Sequence, residues 1–483
     1  VALGAVMRKR HEAATRQQFA SGSVTGVGIP MDSISTRRMT MPRPTTMMRA
    51  AAWACALLVA AALAPTPALA KTEIQFWHAM TGQLNDATNE LVKQFNESQS
   101  EYEVKPLRKG TYPETLTAAI AAYRQRQAPH IVQVFEVGTQ TMLLSGAVNP
   151  VYMLMKEQEI AVDWKDFIAP VAGYYSKDGN LYSMPFNSST PIFYYNKDAF
   201  QKAGLDPSKP PQTWKQVEDY SKKIIASGAA KCGFSTGWPS WTMVENMHAW
   251  HDQPFATKRN GFDGLDAQLL INKEFGVMHL SRLTEWQKGN IYSYGGRQGT
   301  ADPKFINGEC AMYIQSSALI GGFTRGVKFQ WGTGQLPFWG PPYTKATSII
   351  GGATLWVMKG KPAAENRGTA KFLKFISEPN QQMWWHVTTG YLAISNTAVK
   401  NLEAGYHFKR FPDQYTAFAE LTKGKATANS QGIRLGNFVQ IRDVIEGEME
   451  NIFAGKKTSK QGLDDAVVKS NDILKEFAAA NKQ

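Results

Sequence analysis

From residue 72 to residue 135 the chain alternates between two hydrophobic periods. Thr72 to Trp77, Tyr102 to Leu107 and Ile131 to Phe135 are short β-prone runs. Between the first two, Leu84, Leu91, Val92 and Phe95 recur at helical spacing. Between the second and third, Leu116, Ile120 and Tyr123 mark one face of another helix, with Pro113 in its first turn. This alternation predicts the α/β class, with a mostly parallel, helix-covered sheet whose ligands sit beyond the carboxyl ends of the strands. Tyr112 and Glu136 both fall just after strands.

Downstream, Ile192 to Tyr195 is an apolar, aromatic strand preceded by hydroxyl and amide donors between Pro185 and Pro191. Donors in a loop leading into a buried strand suit an anion or a polyol. Asn196-Lys-Asp opens one helix and Pro210-Pro-Gln-Thr213 caps another. Ser348 to Trp356 reads as a strand interrupted by Gly351-Gly352. In the expected helix Phe438–Phe453, Arg442 shares a stripe with Phe438, Ile445, Met449 and Ile452. A guanidinium there must find an anionic partner, because an unpaired buried charge is costly. Its planar fork matches a phosphate, and a carboxylate on a neighbouring element would serve equally at this point. The final helix carries Leu463, Val467, Leu474 and Phe477 on one side.

The N-terminal region changes the charge picture. Met48-Arg49, the apolar run Ala50–Ala64 and Ala68-Leu-Ala70 form a secretory signal peptide over 48–70, so the mature chain is expected to begin at Lys71. The run is shorter than the roughly 18 residues of a membrane span. Cys55 lies inside it rather than at its end, so no lipid anchor is expected. Residues 1–47, with Arg8-Lys9-Arg10 and several alternative methionine starts, read as an over-extended N-terminus rather than a nucleic-acid arm. Residues 1–70 hold eight basic and two acidic side chains, so removing them takes +6 from the formal +13 and leaves +7. A mild surplus on roughly 410 residues does not imply nucleic acid. That length favours two lobes, since single cores seldom exceed about 250–300 residues. Cys232 and Cys310 could form one bridge or remain two buried thiols, which distance decides.

Gly233-Phe-Ser-Thr-Gly237 matches the G-x-S-x-G nucleophile elbow, which would make Ser235 the nucleophile of a secreted serine hydrolase. Lys231-Cys232 provides little preceding strand, however, and Pro239 follows closely. His248, His251, His279, His386 and His407 sit in no triad context. His248-Ala-Trp-His251 has helical metal-ligand spacing without a third ligand. The expectation is therefore a protein that is not an enzyme and needs no metal or cofactor.

Several separate motifs, in order along residues 71–483, carry a resemblance. They are Phe76-Trp-His-Ala-Met, Gln133-Val-Phe-Glu-Val-Gly-Thr, Ser183 to Phe200, Gly237-Trp-Pro-Ser-Trp, Ile350-Gly-Gly-Ala-Thr-Leu-Trp, Thr389-Gly-Tyr-Leu and Arg434 to Arg442. Together they resemble the extracellular solute-binding proteins of ABC importers, the family that includes maltose-binding protein, and within it the members that bind sn-glycerol-3-phosphate. The resemblance implies a two-lobed periplasmic-binding-protein fold with its ligand in the cleft between lobes joined by several hinge crossovers. Lobe I would comprise 71–187 and 352–378, lobe II 188–351 and 379–483, with a third crossover near Ile376 to Asn380.

It further implies sn-glycerol-3-phosphate, or a glycerophosphodiester such as glycerophosphocholine, as ligand, and ABC permease subunits in the inner membrane as partners of a periplasmic monomer. A sugar receptor of the same fold, which would not need Arg442 near its ligand, is the alternative. The implied phosphate ligands are Arg442, Ser189, Ser316, Gly352, Tyr391 and Tyr112. Serine and tyrosine hydroxyls donate to phosphate oxygens, and a glycine lets a backbone N–H approach closely. Glu136 would accept from glycerol hydroxyls, and Trp238 and Trp241 would wall the pocket.

Overall fold

The computed structural model describes residues 70–482; residues 1–69, which carry most of the expected signal peptide and Cys55, lie outside them. The chain begins with β1 (Thr72–His78), α1 (Gly82–Ser98), β2 (Tyr102–Arg108), α2 (Tyr112–Arg124), β3 (Ile131–Phe135) and β4 (Val148–Asn149). β5 (Met184–Ser189) is followed after one residue by β6 (Pro191–Asn196), then by α3 (Trp214–Ala226), β7 (Cys232–Thr236), β8 (Cys310–Ser316) and β9 (Trp331–Gly334). β10 (Gly351–Met358), α4 (Ala363–Ser377), α5 (Pro379–Thr389), α6 (Phe438–Phe453) and α7 (Ser459–Ala480) complete the principal elements.

The molecule is two-lobed, with one principal sheet in each lobe and a two-stranded ladder, Ser176–Lys177 with Asn180–Leu181, besides. The first sheet has the order β2-β1-β3-β10-β4, with β5 also paired to β10. The second has the order β9-β6-β8-β7. The expected mostly parallel arrangement needs correction. β1 is parallel to β2 and β3, and β8 to β7, but β10 runs antiparallel to β3, β4 and β5, and β6 antiparallel to β8 and β9. These reversals belong to the strands by which the chain passes from one sheet to the other. Ser348–Ile350 also fall outside β10, which starts at Gly351.

Local sequence explains where the elements start. Thr111 and Glu114 form a reciprocal capping box on α2, as Thr213 and Gln216 do on α3 and Thr458 and Gln461 on α7. α1 and α4 cover one face of the first sheet with Leu91, Phe95, Phe372 and Leu373 against Ile74 and Phe76. α2 covers the other face, but not with the side expected: Thr115, Leu116, Ala119 and Ala122 are buried, whereas Ile120 and Tyr123 are each 37% exposed. The smaller residues win because they let the helix lie close to β3, where Leu116 reaches Gly138 and Val134.

Thr190 alone joins the two sheets between β5 and β6. Its Oγ1 lies 2.7 Å from Ser348 Oγ and 2.9 Å from the Ile349 carbonyl oxygen, on the segment that leads back into β10. Cys232 and Cys310 are register partners on β7 and β8, 4.5 Å apart at Cα, and are bonded as a disulfide. The two thiols that would complete a metal-like cluster with Glu309 are thereby consumed. Among the described residues no helix is long and apolar enough to cross a membrane.

Candidate ligand-binding site

The ends of both sheets open on one cavity of about 240 Å³. β5 and β10 contribute Ser189 and Gly352, and the first turn of α2 contributes Tyr112. Glu136 follows β3, Ser316 ends β8, and Tyr391 follows the left-handed Gly390 that terminates α5. Arg442 projects from α6, and Trp238 and Trp241 close the wall. The cavity thus brings together all nine residues singled out in the sequence.

Glycine is required at two adjacent points. Gly352 has φ +86°, and a Cβ there would overlap the Asn187 carbonyl oxygen of β5. At Gly351 a Cβ would overlap the Trp241 indole. The backbone is also held in the left-handed region at two non-glycine residues, Trp238 (φ +47°) and Gln298 (φ +50°). They face each other through a 2.7 Å bond from the Trp238 N–H to the Gln298 carbonyl. Such conformations persist only where surrounding structure fixes them, and they cluster at ligand sites.

Arg442 departs from expectation. Its charge was expected to be compensated by a ligand, yet two carboxylates already engage it. Nε donates to Glu245 Oε1 at 2.9 Å, and Nη2 donates to Glu245 Oε2 at 2.7 Å and Glu136 Oε1 at 2.6 Å. Burial opposes the cationic form, but Glu245 and Glu136 outweigh it and hold the guanidinium's pKa above its ordinary value. Glu136 is likewise committed to Arg442 rather than free; burial pushes its carboxyl up, with Arg442 pulling the other way. Nη1 of Arg442 makes no hydrogen bond among the described residues and remains available to the cavity.

The hydroxyls are pre-arranged. The Ala79 N–H donates to Gln133 Oε1 at 2.7 Å, Gln133 Nε2 donates to Asn187 Oδ1 at 2.8 Å, and Asn187 Nδ2 donates to Tyr112 Oη at 2.8 Å. Tyr112, receiving that bond, keeps its own proton to donate, and the Tyr391 hydroxyl lies beside it. Its ring stacks on Phe135 with centroids 5.3 Å apart and planes 6° apart. Tyr391 stacks on Trp385 and is held through its carbonyl by His386 Nδ1 at 2.7 Å. Trp241 Nε1, at the cavity wall, is buried without an acceptor among the described residues.

Several polar residues of the site were not legible in the sequence, Glu245, Asp302 and Gln315 among them. Glu245 lies on a π-helical turn, Trp241–Glu245, that aims Trp241 at the cavity and Glu245 at Arg442. The four-residue spacing from Trp241 was the available signal. Asp302 and Gln315 also line the cavity; Ala301-Asp-Pro reads only as a helix start, so periodicity gave Asp302 no prominence.

The elbow-like Ser235 is fully buried within β7, and its Oγ donates to the Ser293 carbonyl at 2.6 Å. His248 and His251 each bond through Nδ1 to the backbone carbonyl four residues earlier. Neither arrangement is that of a nucleophile or a metal ligand.

Residues 90–418 match the model of the bacterial extracellular solute-binding protein family. The sn-glycerol-3-phosphate-binding periplasmic protein UgpB of Salmonella typhimurium is 45% identical over 422 residues, covering 86% of this chain and 95% of that protein. Its counterpart in Escherichia coli K12 is 44% identical over 418 residues, with the same coverage. Among solved structures, UgpB from Mycobacterium tuberculosis in complex with glycerophosphocholine superposes with a TM-score of 0.70 at 22% identity, covering 84% of this chain and 99% of that one. The GacH receptor of Streptomyces glaucescens gives 0.69 at 16% identity, covering 84% and 99%. With a two-sheet, two-lobed frame, a cavity at the strand ends and a family match across most of its length, this chain belongs to the bacterial extracellular solute-binding proteins.

Proposed function

We propose that this chain is the periplasmic receptor of an ABC importer for sn-glycerol-3-phosphate and its diesters, and that it delivers them to permease subunits in the inner membrane. The observation that carries this reading is the cavity itself. One guanidinium fork, with Nη1 making no hydrogen bond among the described residues, shares a small, largely apolar chamber with Ser189, Ser316 and the Tyr112 and Tyr391 phenols. These are hydrogen-bond donors suited to a phosphate, and the 45% identity to a glycerol-3-phosphate-binding relative supports the same assignment. Glu136, on the other side of Arg442, accepts from glycerol hydroxyls. Trp238 and Trp241 pack against the ligand's carbon chain.

In this reading the chain is processed after Ala70, acts as a monomer without catalysis, and closes its lobes about the crossovers at Thr190 and Gly351, with a third near the break between α4 and α5. A cavity of about 240 Å³ favours a ligand of glycerophosphate size over an oligosaccharide. The charge distribution also favours a glycerophosphodiester beside the monoester: Glu136, Glu245 and Asp302 outnumber Arg442, which suits a ligand of low net charge. Titration calorimetry of the processed protein against glycerol-3-phosphate, glycerophosphocholine, maltose and free phosphate tests the assignment. The first two should bind and the last two should not; tight maltose binding with no response to either glycerophosphate would overturn it.

A further inference from the structure

Glu446 stands one turn beyond Arg442 on α6, behind the cavity wall, and is 4% exposed. Its Oε1 is buried without a hydrogen-bond partner, and its ion pairing among the described residues is limited to Arg297 Nε, 3.9 Å from Oε2. That guanidinium is committed elsewhere. Its Nε and Nη2 each donate to Glu450 at 2.8 Å, and Tyr294 Oη donates to the same carboxylate at 3.1 Å. Glu136 and Glu245, by contrast, accept from Arg442 at 2.6 Å and 2.7 Å. Of the three buried carboxylates near Arg442, Glu446 is therefore the one without a close positive partner among the described residues.

The groups facing Glu446 are Arg442, Asp443 and Glu450 on its own helix, Arg297 and Tyr294 on the segment that leads to Gln298 and Gly299 of the cavity wall, and Glu245 on the π turn. Asp443 is exposed and screened by solvent; the others are buried or half-buried. With every group ionised, Arg442 and Arg297 face Glu136, Glu245, Glu446 and Glu450, two positive charges against four negative ones. A phosphate arriving at Arg442 adds negative charge where water screens it poorly. The relief available is protonation of the carboxylate least tied to a cation. Burial already raises the Glu446 carboxyl to about 7, so a further push in the same direction acts near neutral pH.

We infer that binding of a phosphate at Arg442 is coupled to the uptake of one proton from solution by the Glu446 carboxylate, which becomes a neutral acid. Glu446 is in this sense a positioning residue that acts on the ligand through Arg442: once neutral, it leaves that guanidinium to Glu136, Glu245 and the anion. The inference rests on the glycerophosphate reading and deepens it, since it sets how much anionic charge the site accepts. By linkage, affinity for the anion falls as pH rises past the free protein's value, by up to about tenfold per pH unit for one coupled proton.

Titration calorimetry with glycerol-3-phosphate near pH 7.5, in buffers of different ionisation enthalpy, counts the protons exchanged. The parent protein should take up more protons per ligand than Glu446→Gln, because the ligand's own titration is common to both and only the parent has the carboxylate. Glu446→Gln should also bind severalfold more tightly than the parent at pH 8.5 and lose most of the decline in affinity above pH 7. A purely structural role would weaken binding without changing the proton count. Equal proton uptake in the two proteins, or an equally steep decline of affinity with pH, overturns the coupling. If Glu446→Gln does not fold, the parent decides with glycerophosphoglycerol, a diester with one negative charge and no group that titrates near neutral pH. Its binding without proton uptake overturns the inference alone. A parent protein that binds no glycerophosphate overturns the receptor reading and this inference with it.

Discussion

At the scale of single residues, Arg442 shows how far a sequence can be read. Its place on an otherwise apolar stripe said that an anion must lie opposite, and the geometry supplies two, Glu136 and Glu245. The motif named Glu136 but could not name Glu245, whose approach depends on a π turn that no hydrophobic period encodes. Arg442→Ala should weaken glycerol-3-phosphate binding by about 2–5 kcal/mol, the cost of truncating one partner of a buried charge pair. Melting should fall as well, because Glu136 and Glu245 would face each other with no cation between them. Arg442→Lys should restore only part of each, since an ammonium cannot reproduce the fork. Calorimetry and thermal unfolding check both, and wild-type affinity in a folded Arg442→Ala protein would move the phosphate site elsewhere. One turn along α6, burial pushes the Glu446 carboxyl up from 4.5 to about 7, against the pull of Arg442 and Arg297. Between those two values the folded chain keeps a proton that the unfolded chain has lost, so this group's contribution to stability falls as pH rises and is flat above about 7. Glu446→Gln should reduce the loss of stability from pH 5 to pH 8 by on the order of 1–3 kcal/mol in denaturant unfolding. An identical pH profile in the variant would show that Glu446 does not hold that proton.

At the scale of elements, β1, β2 and β3 and the Arg442 helix were legible because each carries an uninterrupted hydrophobic period. α2 was legible as a helix but not in its orientation. Its alanines offer two similar faces, and only the approach to β3 selects the one bearing Leu116 and Ala119. Strand direction was also beyond the pattern, since a run of alternating residues looks the same in both senses. The paired glycines at the start of β10 were legible as an interruption, and the structure gives each a separate cause. Gly351→Ala would drive a methyl group into the Trp241 indole, so the variant should lose about 1–3 kcal/mol of stability, the usual cost of overpacking. Its ligand affinity should drop with it, because Trp241 can yield only by moving at the cavity wall. Unfolding and calorimetry on the same preparation test this; unchanged values in both would mean that the crossover accommodates a side chain.

At the scale of the whole molecule, two sheets joined by short crossovers around one cavity form an assembly suited to respond to its ligand by hinge closure. Small-angle scattering should show a smaller radius of gyration when the processed protein is saturated with glycerol-3-phosphate, at the mass of one chain. Binding without compaction would argue against closure. The crossovers themselves constrain what such a motion can be. Thr190 holds Ser348 and Ile349 through its hydroxyl, so the outgoing and returning strands are fastened to each other beside the place where they leave the sheets. Two independent tethers would let the lobes slide and twist as well as rock, whereas fastened tethers share one pivot. A hinge motion at these two crossovers is therefore expected to be a swing rather than a slide, one that returns Tyr112 of the first lobe and Arg442 of the second to the same register.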